Sequence, residues 1–199
     1  MKQPRSVTGQ VTTEELTIIK RELTTVLKMG IAGDVVELGC YEGGSAVFIQ
    51  SLLEQQQSEK SLWLYDSFEG LPEKTAEDET KLGAEFQAGE LKASKARLER
   101  HFHKAGLHLP EIKKAWFYEL DTSDLPEQIC FAFLDGDYYE SILDSFKLVW
   151  PKLPKGAVVL VDDYQNPKLP GVKLAVDEWI VSHDGAGLRI ESSLAIINA

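Results

Sequence analysis

The chain has 199 residues, 43% of them apolar, and its 21 basic against 32 acidic residues give a formal charge of −11. That length suits one domain with a sizeable core, and the acidity argues against a nucleic-acid partner, because phosphate binding needs a basic face. No apolar run approaches the roughly 20 residues that span a bilayer, and Met1-Lys2-Gln3-Pro4-Arg5 leads into polar sequence rather than a secretory signal, so a cytoplasmic protein without a membrane partner is expected.

Residues before about Val11 read as loose. Thr12 and Glu15 have capping-box spacing, and Leu16, Ile19, Leu23, Val26 and Leu27 follow at helical spacing, so an N-terminal helix is expected over about 12–29. Gly30 and Gly33 end it. Asp34 to Cys40 reads as the first buried strand, and the turn Gly43-Gly44 opens a helix carrying Ala46, Ile49, Leu52 and Leu53. Ser61 to Tyr65 is the second strand, stopping at Asp66. Cys40 and Cys130 both fall in buried strands, where reduced core thiols are expected.

From Glu69 to Glu90 the chain is polar, with seven acidic residues against Lys74 and Lys81. The segment has too little apolar surface to be rigid alone, so it reads either as a solvated loop or as a mobile lid. Leu82 and Phe86 are the residues expected to pack down on closure. A helix with Leu91, Leu98, Phe102 and Ala105 on one face comes next, then a third strand over Ile112 to Leu120 whose lysines place it near the sheet edge. Ile129 to Leu134 is a continuous apolar strand ending at Asp135, and the helix after it buries Ile142, Phe146, Val149 and Trp150. Pro151, Pro154 and Gly156 punctuate the return to Ala157–Val161, which ends at Asp162-Asp163. A last helix places Val172, Val176, Trp179 and Ile180 on one face, and 188–191 with 194–198 closes the chain as a hairpin.

Strands and helices alternate throughout. The class is therefore α/β: a doubly wound, Rossmann-like sheet, mostly parallel, with a C-terminal antiparallel hairpin, in one domain over 1–199. Ligands of such sheets bind at the carboxyl ends of the strands, where the strand order reverses. Asp135, Asp162 and Asp163 gather at that edge. Three carboxylates at one spot repel each other unless a cation sits among them, and oxygen-only ligands suit a hard divalent ion. Asp137 starts a helix with Glu140 three residues on, so it can serve as the N-cap, which would not exclude a further role.

Two further features point to a small cofactor. In the loop from Glu37 to Ser45 the glycines run G-x-x-x-G-G, not G-x-G-x-x-G, and an acidic Glu37 repels a pyrophosphate while it can accept from an ammonium. Asp66, at the end of the second strand, can hold both hydroxyls of a ribose. With no phosphate-loop lysine, the pair fits a nucleoside without phosphate, for which S-adenosylmethionine is the obvious candidate.

Val36-Glu37-Leu38-Gly39-x-x-x-Gly43-Gly44-Ser45, Tyr65-Asp66-Ser67-Phe68-x-Gly70-Leu71-Pro72, Leu134-Asp135-Gly136-Asp137-x-Tyr139-Glu140-Ser141 and Val161-Asp162-Asp163-Tyr164 resemble, in order, the motifs of the macrocin O-methyltransferase (TylF) family. The likeness runs from about Gly33 to Ile180. It implies a class I methyltransferase that uses S-adenosylmethionine and a divalent metal, usually magnesium, to methylate hydroxyls of sugars or related natural products. It also implies that Glu37, Gly39, Tyr41, Gly43, Ser45, Asp66, Ser67 and Phe68 line the cofactor and that Asp135, Asp162 and Asp163 bind the metal. Asp137 falls where the family can place a general base, with Asp135 also catalytic. Ala115 to Thr122 matches the family's aromatic stretch only loosely.

The expected partner is a small-molecule acceptor, and the pocket walls suit a sugar, a phenol or a polyketide. Assembly is open, with a homodimer among the options. Rival readings are a metal-independent N- or O-methyltransferase, a nucleotide-binding oxidoreductase disfavoured by the glycine spacing, and a non-catalytic protein that keeps the fold. Asn166-Pro167 lies after the wrong strand, and is followed by the wrong residue, for the signature of amino-group methylation on bases.

Overall fold

The computed structural model describes residues 10–84, 86–183 and 186–199. The expectation of a loose start concerns residues 1–9, which lie outside the described residues, as does Glu85 of the acidic segment.

Helix α1 (Thr13–Lys28) starts where the capping box places it. Thr12 Oγ1 accepts from the Glu15 amide at 3.2 Å, and Glu15 Oε2 accepts from the Thr12 amide at 2.6 Å. Its apolar stripe, with Leu16, Ile19, Leu23 and Val26, is buried. The chain continues through β1 (Asp34–Leu38), α2 (Gly44–Gln55), β2 (Leu62–Asp66), α3 (Lys95–Ala105) and β3 (Glu111–Lys114). Next come β4 (Ile129–Leu134), α4 (Tyr139–Val149), β5 (Val158–Val161), α5 (Pro170–Ser182), β6 (Gly187–Glu191) and β7 (Leu194–Asn198).

The sheet runs β3-β2-β1-β4-β5-β7-β6. The five strands β1 to β5 are parallel, while β7 is antiparallel to β5 and to β6. This is the Rossmann-like order of a doubly wound sheet, and it reverses between β1 and β4. Side chains alternate across it. Phe131 and Phe133 of β4 join the layer formed with α1, α2 and α3, while Ala132 and Leu134 join the layer formed with α4 and α5. Both faces of β4 and β5 are covered, which is why their sequences are continuously apolar.

Three elements differ from expectation. The third strand stops at Lys114, and the aromatic residues beyond it form a 3-10 turn, Phe117–Glu119, instead of extending the strand to Leu120. It does lie at the sheet edge, where its lysines reach solvent. Helix α3 begins only after Ser94, whose hydroxyl accepts from the Arg97 amide, so Leu91 precedes the helix. Leu91 takes a left-handed conformation and packs on the opposite core layer from Leu98 and Phe102. The first strand ends at Leu38, because Gly39 turns the backbone at φ +93°. Cys40 and Cys130 are buried and unbridged. Among the described residues no helix is long and apolar enough to cross a membrane.

The capping box is testable alone. Thr12→Ala removes the hydroxyl acceptor and should cost about 1 kcal/mol, lowering Tm by roughly 2–4 °C in a circular dichroism melt. An unchanged melt would show that α1 is held by packing alone.

Candidate active site

Three strand ends build the site. After β1, a Cβ on Gly39 would sit 1.9 Å from the Asp135 carbonyl oxygen, so only glycine lets the two loops pass. After β2, Asp66 ties the loops together: Oδ2 accepts from the Tyr41 amide at 2.8 Å and Oδ1 from the Phe68 amide at 2.6 Å. Burial raises the Asp66 pKa, and those amide bonds oppose the rise. Tyr41 and Phe68 both take left-handed backbone conformations, φ 45° and 54°.

Glu37 stands behind this floor, fully buried. Its Oε1 accepts from Ser45 Oγ at 2.5 Å, and its Oε2 has no partner. Desolvation pushes it up to about 8, the Ser45 bond opposes that, and Asp66 and Asp162 add to it. Of the eight residues expected around a cofactor, Gly39, Tyr41, Asp66 and Ser67 line the cavity. Glu37, Gly43, Ser45 and Phe68 form the layer that supports it; Gly43 faces Leu98 and Phe102, and Phe68 is in the core.

The ladder of the sheet sets the acids side by side. The Asp135 amide donates to Leu38 O at 2.8 Å and the Asp162 amide to Leu134 O at 2.9 Å. Among the described residues, the three acids that bring one carboxylate oxygen each within 4.8 Å of one another are Asp135, Asp137 and Asp163. The expected trio had Asp162 in place of Asp137. The difference lies in side-chain direction. Asp162 Oδ1 accepts from the Asp163 amide at 2.9 Å and lies 3.3 Å from Ser193 Oγ, while left-handed backbone at Asp137 and Asp163, φ 60° and 57°, accompanies their convergence.

These acids are held above the ordinary carboxylate range. For Asp135 and Asp137 burial is the main cause, reinforced by the neighbouring aspartates. Asp162 is pushed up to about 8 by burial, then by Asp163 and Glu15. The Ser193 hydroxyl is bonded to Glu15 and also to Asp162, and its bond to Asp162 opposes that rise.

Asp137 does not cap α4. The N-cap is Tyr138, which offers no side-chain bond, and the acceptor comes from the acidic segment: Asp78 Oδ1 takes the Tyr139 amide at 2.8 Å. Asp78 escaped the sequence reading. Thr75 and Asp78 do have capping-box spacing, and they open a 3-10 turn, Ala76–Asp78, but nothing local announces the distant partner. The segment is stapled elsewhere too. The Leu71 amide donates to Glu90 O at 2.8 Å, and Glu69 pairs with Lys92 and Lys114, each at 2.6 Å. Phe86 lines the cavity, but Leu82, expected beside it, is 59% exposed. Tyr138 walls the cavity, and Tyr139 instead packs, its hydroxyl donating to Glu178 at 2.6 Å.

These parts enclose a cavity of about 340 Å³. Its floor is Asp66, Asp135, Asp137, Asp162 and Asp163; the acidic segment gives one wall, and Trp116, Phe117 and Tyr118 another. Among the described residues that line it there is no lysine, arginine or histidine.

The chain matches the macrocin-O-methyltransferase (TylF) family over residues 1–186, and it belongs to that family. It is 29% identical over 168 residues to a mycinamicin III 3''-O-methyltransferase of Micromonospora griseorubida, covering 80% of this chain and 65% of that one. With the 8-demethyl-8-(2,3-dimethoxy-alpha-L-rhamnosyl)-tetracenomycin-C 4'-O-methyltransferase of Streptomyces olivaceus it shares 31% identity over 146 residues, 70% of this chain and 56% of that one. The chain thus spans less than two thirds of the length of these two relatives. Its structure superposes on that of the O-methyltransferase NovP with a TM-score of 0.80 and 26% identity, covering 93% of this chain and 79% of that one. The calicheamicin methyltransferase CalS11 shares the fold, at a TM-score of 0.74 and 19% identity over 94% of this chain and 80% of its own.

The convergence of Asp135, Asp137 and Asp163 has a measurable cost. In chelated buffer, Asp137→Asn should relieve repulsion and raise stability by about 1 kcal/mol, or roughly 2–4 °C in Tm. A lower Tm for the variant would show that the cluster is stabilised by bonds rather than strained by charge.

Proposed function

We propose that the chain is an S-adenosylmethionine-dependent O-methyltransferase, assisted by a divalent cation such as magnesium, that methylates a hydroxyl of a small glycosylated molecule. One observation carries the reading: the three converging carboxylates of Asp135, Asp137 and Asp163 open into the same cavity as Asp66 and Gly39. Both of the relatives aligned above are named as O-methyltransferases, one of a mycinamicin and one of a rhamnosyl tetracenomycin. The acidic lining, with no basic residue described in it, suits a neutral or cationic acceptor and disfavours a phosphorylated one. The overall acidity and the buried, unbridged cysteines support a cytoplasmic protein with no nucleic-acid partner.

The residues fit both groups. Asp66 uses one lone pair on each oxygen for a backbone amide, which leaves acceptor capacity for two ribose hydroxyls. Gly39 and Tyr41 bring backbone close to a ligand over the sheet edge, and the unpartnered Glu37 Oε2 leaves an acceptor for a donor that arrives with the cofactor. Asp135, Asp137 and Asp163 form an all-oxygen set of the kind a hard cation takes, and Asp162 braces it by accepting from the Asp163 amide.

S-adenosylmethionine supplies the methyl group, and a bound divalent cation supplies positive charge that favours the deprotonated acceptor hydroxyl. The chain does the rest. The cavity walls would orient the acceptor hydroxyl, and much of the rate would come from that positioning. The carboxylate oxygen of Asp137 that is not given to the cation would accept the hydroxyl proton. Leu71, Phe86 and the Trp116–Tyr118 wall exclude water.

Calorimetric titration tests the cofactor. S-adenosylmethionine should bind the wild type, and Asp66→Ala should weaken it by about 1.5–3 kcal/mol, the scale of two charge-assisted hydrogen bonds. Absence of binding to the wild type would overturn the reading. Mass spectrometry of a panel of neutral and amino glycosides, beside nucleotide-linked sugars, should find methylated product among the first group only. Chelator or Asp135→Asn should abolish that product, and turnover surviving both would favour a metal-free enzyme.

A further inference from the structure

We propose that Asp78 is a positioning residue: it latches the acidic segment across the cavity and, by the same carboxylate, fixes the start of α4 where Asp137 and Tyr138 enter the site. Only the catalytic consequence rests on the function proposed above.

The first turn of a helix has amides with no partner inside the helix, and they need acceptors. Tyr138 cannot serve, and Asp137, one residue earlier, has its carboxylate among the converging aspartates. Asp78 fills the gap from 61 residues away along the chain. It is 1% exposed, and among the described residues its donors are neutral: Oδ1 accepts from the Tyr139 amide at 2.8 Å, Oδ2 from the Thr75 amide at 3.1 Å and the Thr75 hydroxyl at 3.0 Å. A buried carboxylate with three donors at a helix N-terminus is a strong local anchor, because charge assists each bond and the helix dipole favours it.

The seat is shaped for it. Gly171 lies in the first turn of α5, and a Cβ there would fall 1.9 Å from Asp78 Oδ1, 2.9 Å from Asp78 Cγ and 3.0 Å from Tyr139 Cβ. Its backbone is not left-handed, so glycine is required here for space and not for conformation. Three parts of the cavity therefore meet at one carboxylate: the acidic segment that gives a wall, the Asp135–Tyr138 turn, and the start of α5 after the Asp163 loop. Releasing Asp78 frees the wall and uncaps α4 together.

The test uses hydrogen exchange on the full chain, with and without S-adenosylmethionine. Asp78→Ala and Gly171→Ala should each speed exchange in 71–83 and in the first turn of α4, on the order of tenfold, the scale of a lost cap. The double variant should exchange no faster than Asp78→Ala, because without the carboxylate the Gly171 methyl has room. Asp78→Asn, which keeps an oxygen for the Tyr139 amide, should restore most of the protection and most of kcat, whereas Asp78→Ala should lower kcat and leave KM for S-adenosylmethionine level. Additive effects in the double variant, or exchange in 71–83 unmoved by Asp78→Ala, would overturn the latch. Coupled exchange in a protein that neither binds S-adenosylmethionine nor transfers methyl groups would uphold the latch and overturn the function instead.

Discussion

Like charge held at the edge of a parallel sheet is the constraint on which the site depends. The backbone ladder, Asp135 to Leu38 and Asp162 to Leu134, continues one step past the strands and so forces acidic residues next to each other at the strand ends. Burial and proximity then lift their pKa values, and the free energy stored there must be offset by the rest of the fold. The strands beneath are suited to that task. Both faces of β4 and β5 are fully buried, with Phe131, Phe133 and Leu160 on one side and Leu134, Val159 and Val161 on the other. At about 1.5–3 kcal/mol for each large apolar side chain, this core can hold several strained groups at its rim.

Backbone strain gathers at the same rim. Tyr41, Phe68, Asp137 and Asp163 each follow a parallel strand closely, and each takes a left-handed conformation that a side chain disfavours. Each such residue costs on the order of 1–3 kcal/mol. The turns they make re-aim the chain over the sheet edge in place of a straight exit, which is how loops after β1, β2, β4 and β5 come to face one cavity. Side-chain direction depends on the same turns. Asp137 and Asp163 swing toward Asp135, while Asp162, whose φ is ordinary, turns back to the Asp163 amide and Ser193.

This explains which parts were legible in the sequence. The strands β4 and β5 could be read because two covered faces demand unbroken apolar runs, β1 and β2 from shorter apolar stretches that end at turns, and α1 because Thr12 and Glu15 carry their own capping bonds. Strand order and the acidic edge follow from that alternation. The third strand was overextended, since Trp116, Phe117 and Tyr118 have strand propensity but serve as a cavity wall in a 3-10 turn. Leu91 has helical spacing to Leu98, but the helix starts only after Ser94. At the site, residue types are readable and directions are not: the convergence of Asp137 and Asp163 on Asp135 goes with left-handed turns at both residues, which spacing alone does not encode.

The acidic segment carries polar anchors that its composition does not display. Counting apolar residues predicts a loop that buries too little to be ordered, and Leu82 indeed faces solvent. Yet order in a polar segment can come from a few saturated polar contacts, because a buried carboxylate that lost its donors would bear a full desolvation cost. Asp78 is such a group: its three donors and the space left by Gly171 hold a wall that hydrophobic contact alone would not hold. The buried Tyr138 hydroxyl, unpartnered and near Asp137, Asp78, Glu73 and Glu79, lies beside that anchor. This donor has no partner among the described residues, so a shift of the segment that brings one of those carboxylates onto the phenol would gain a bond.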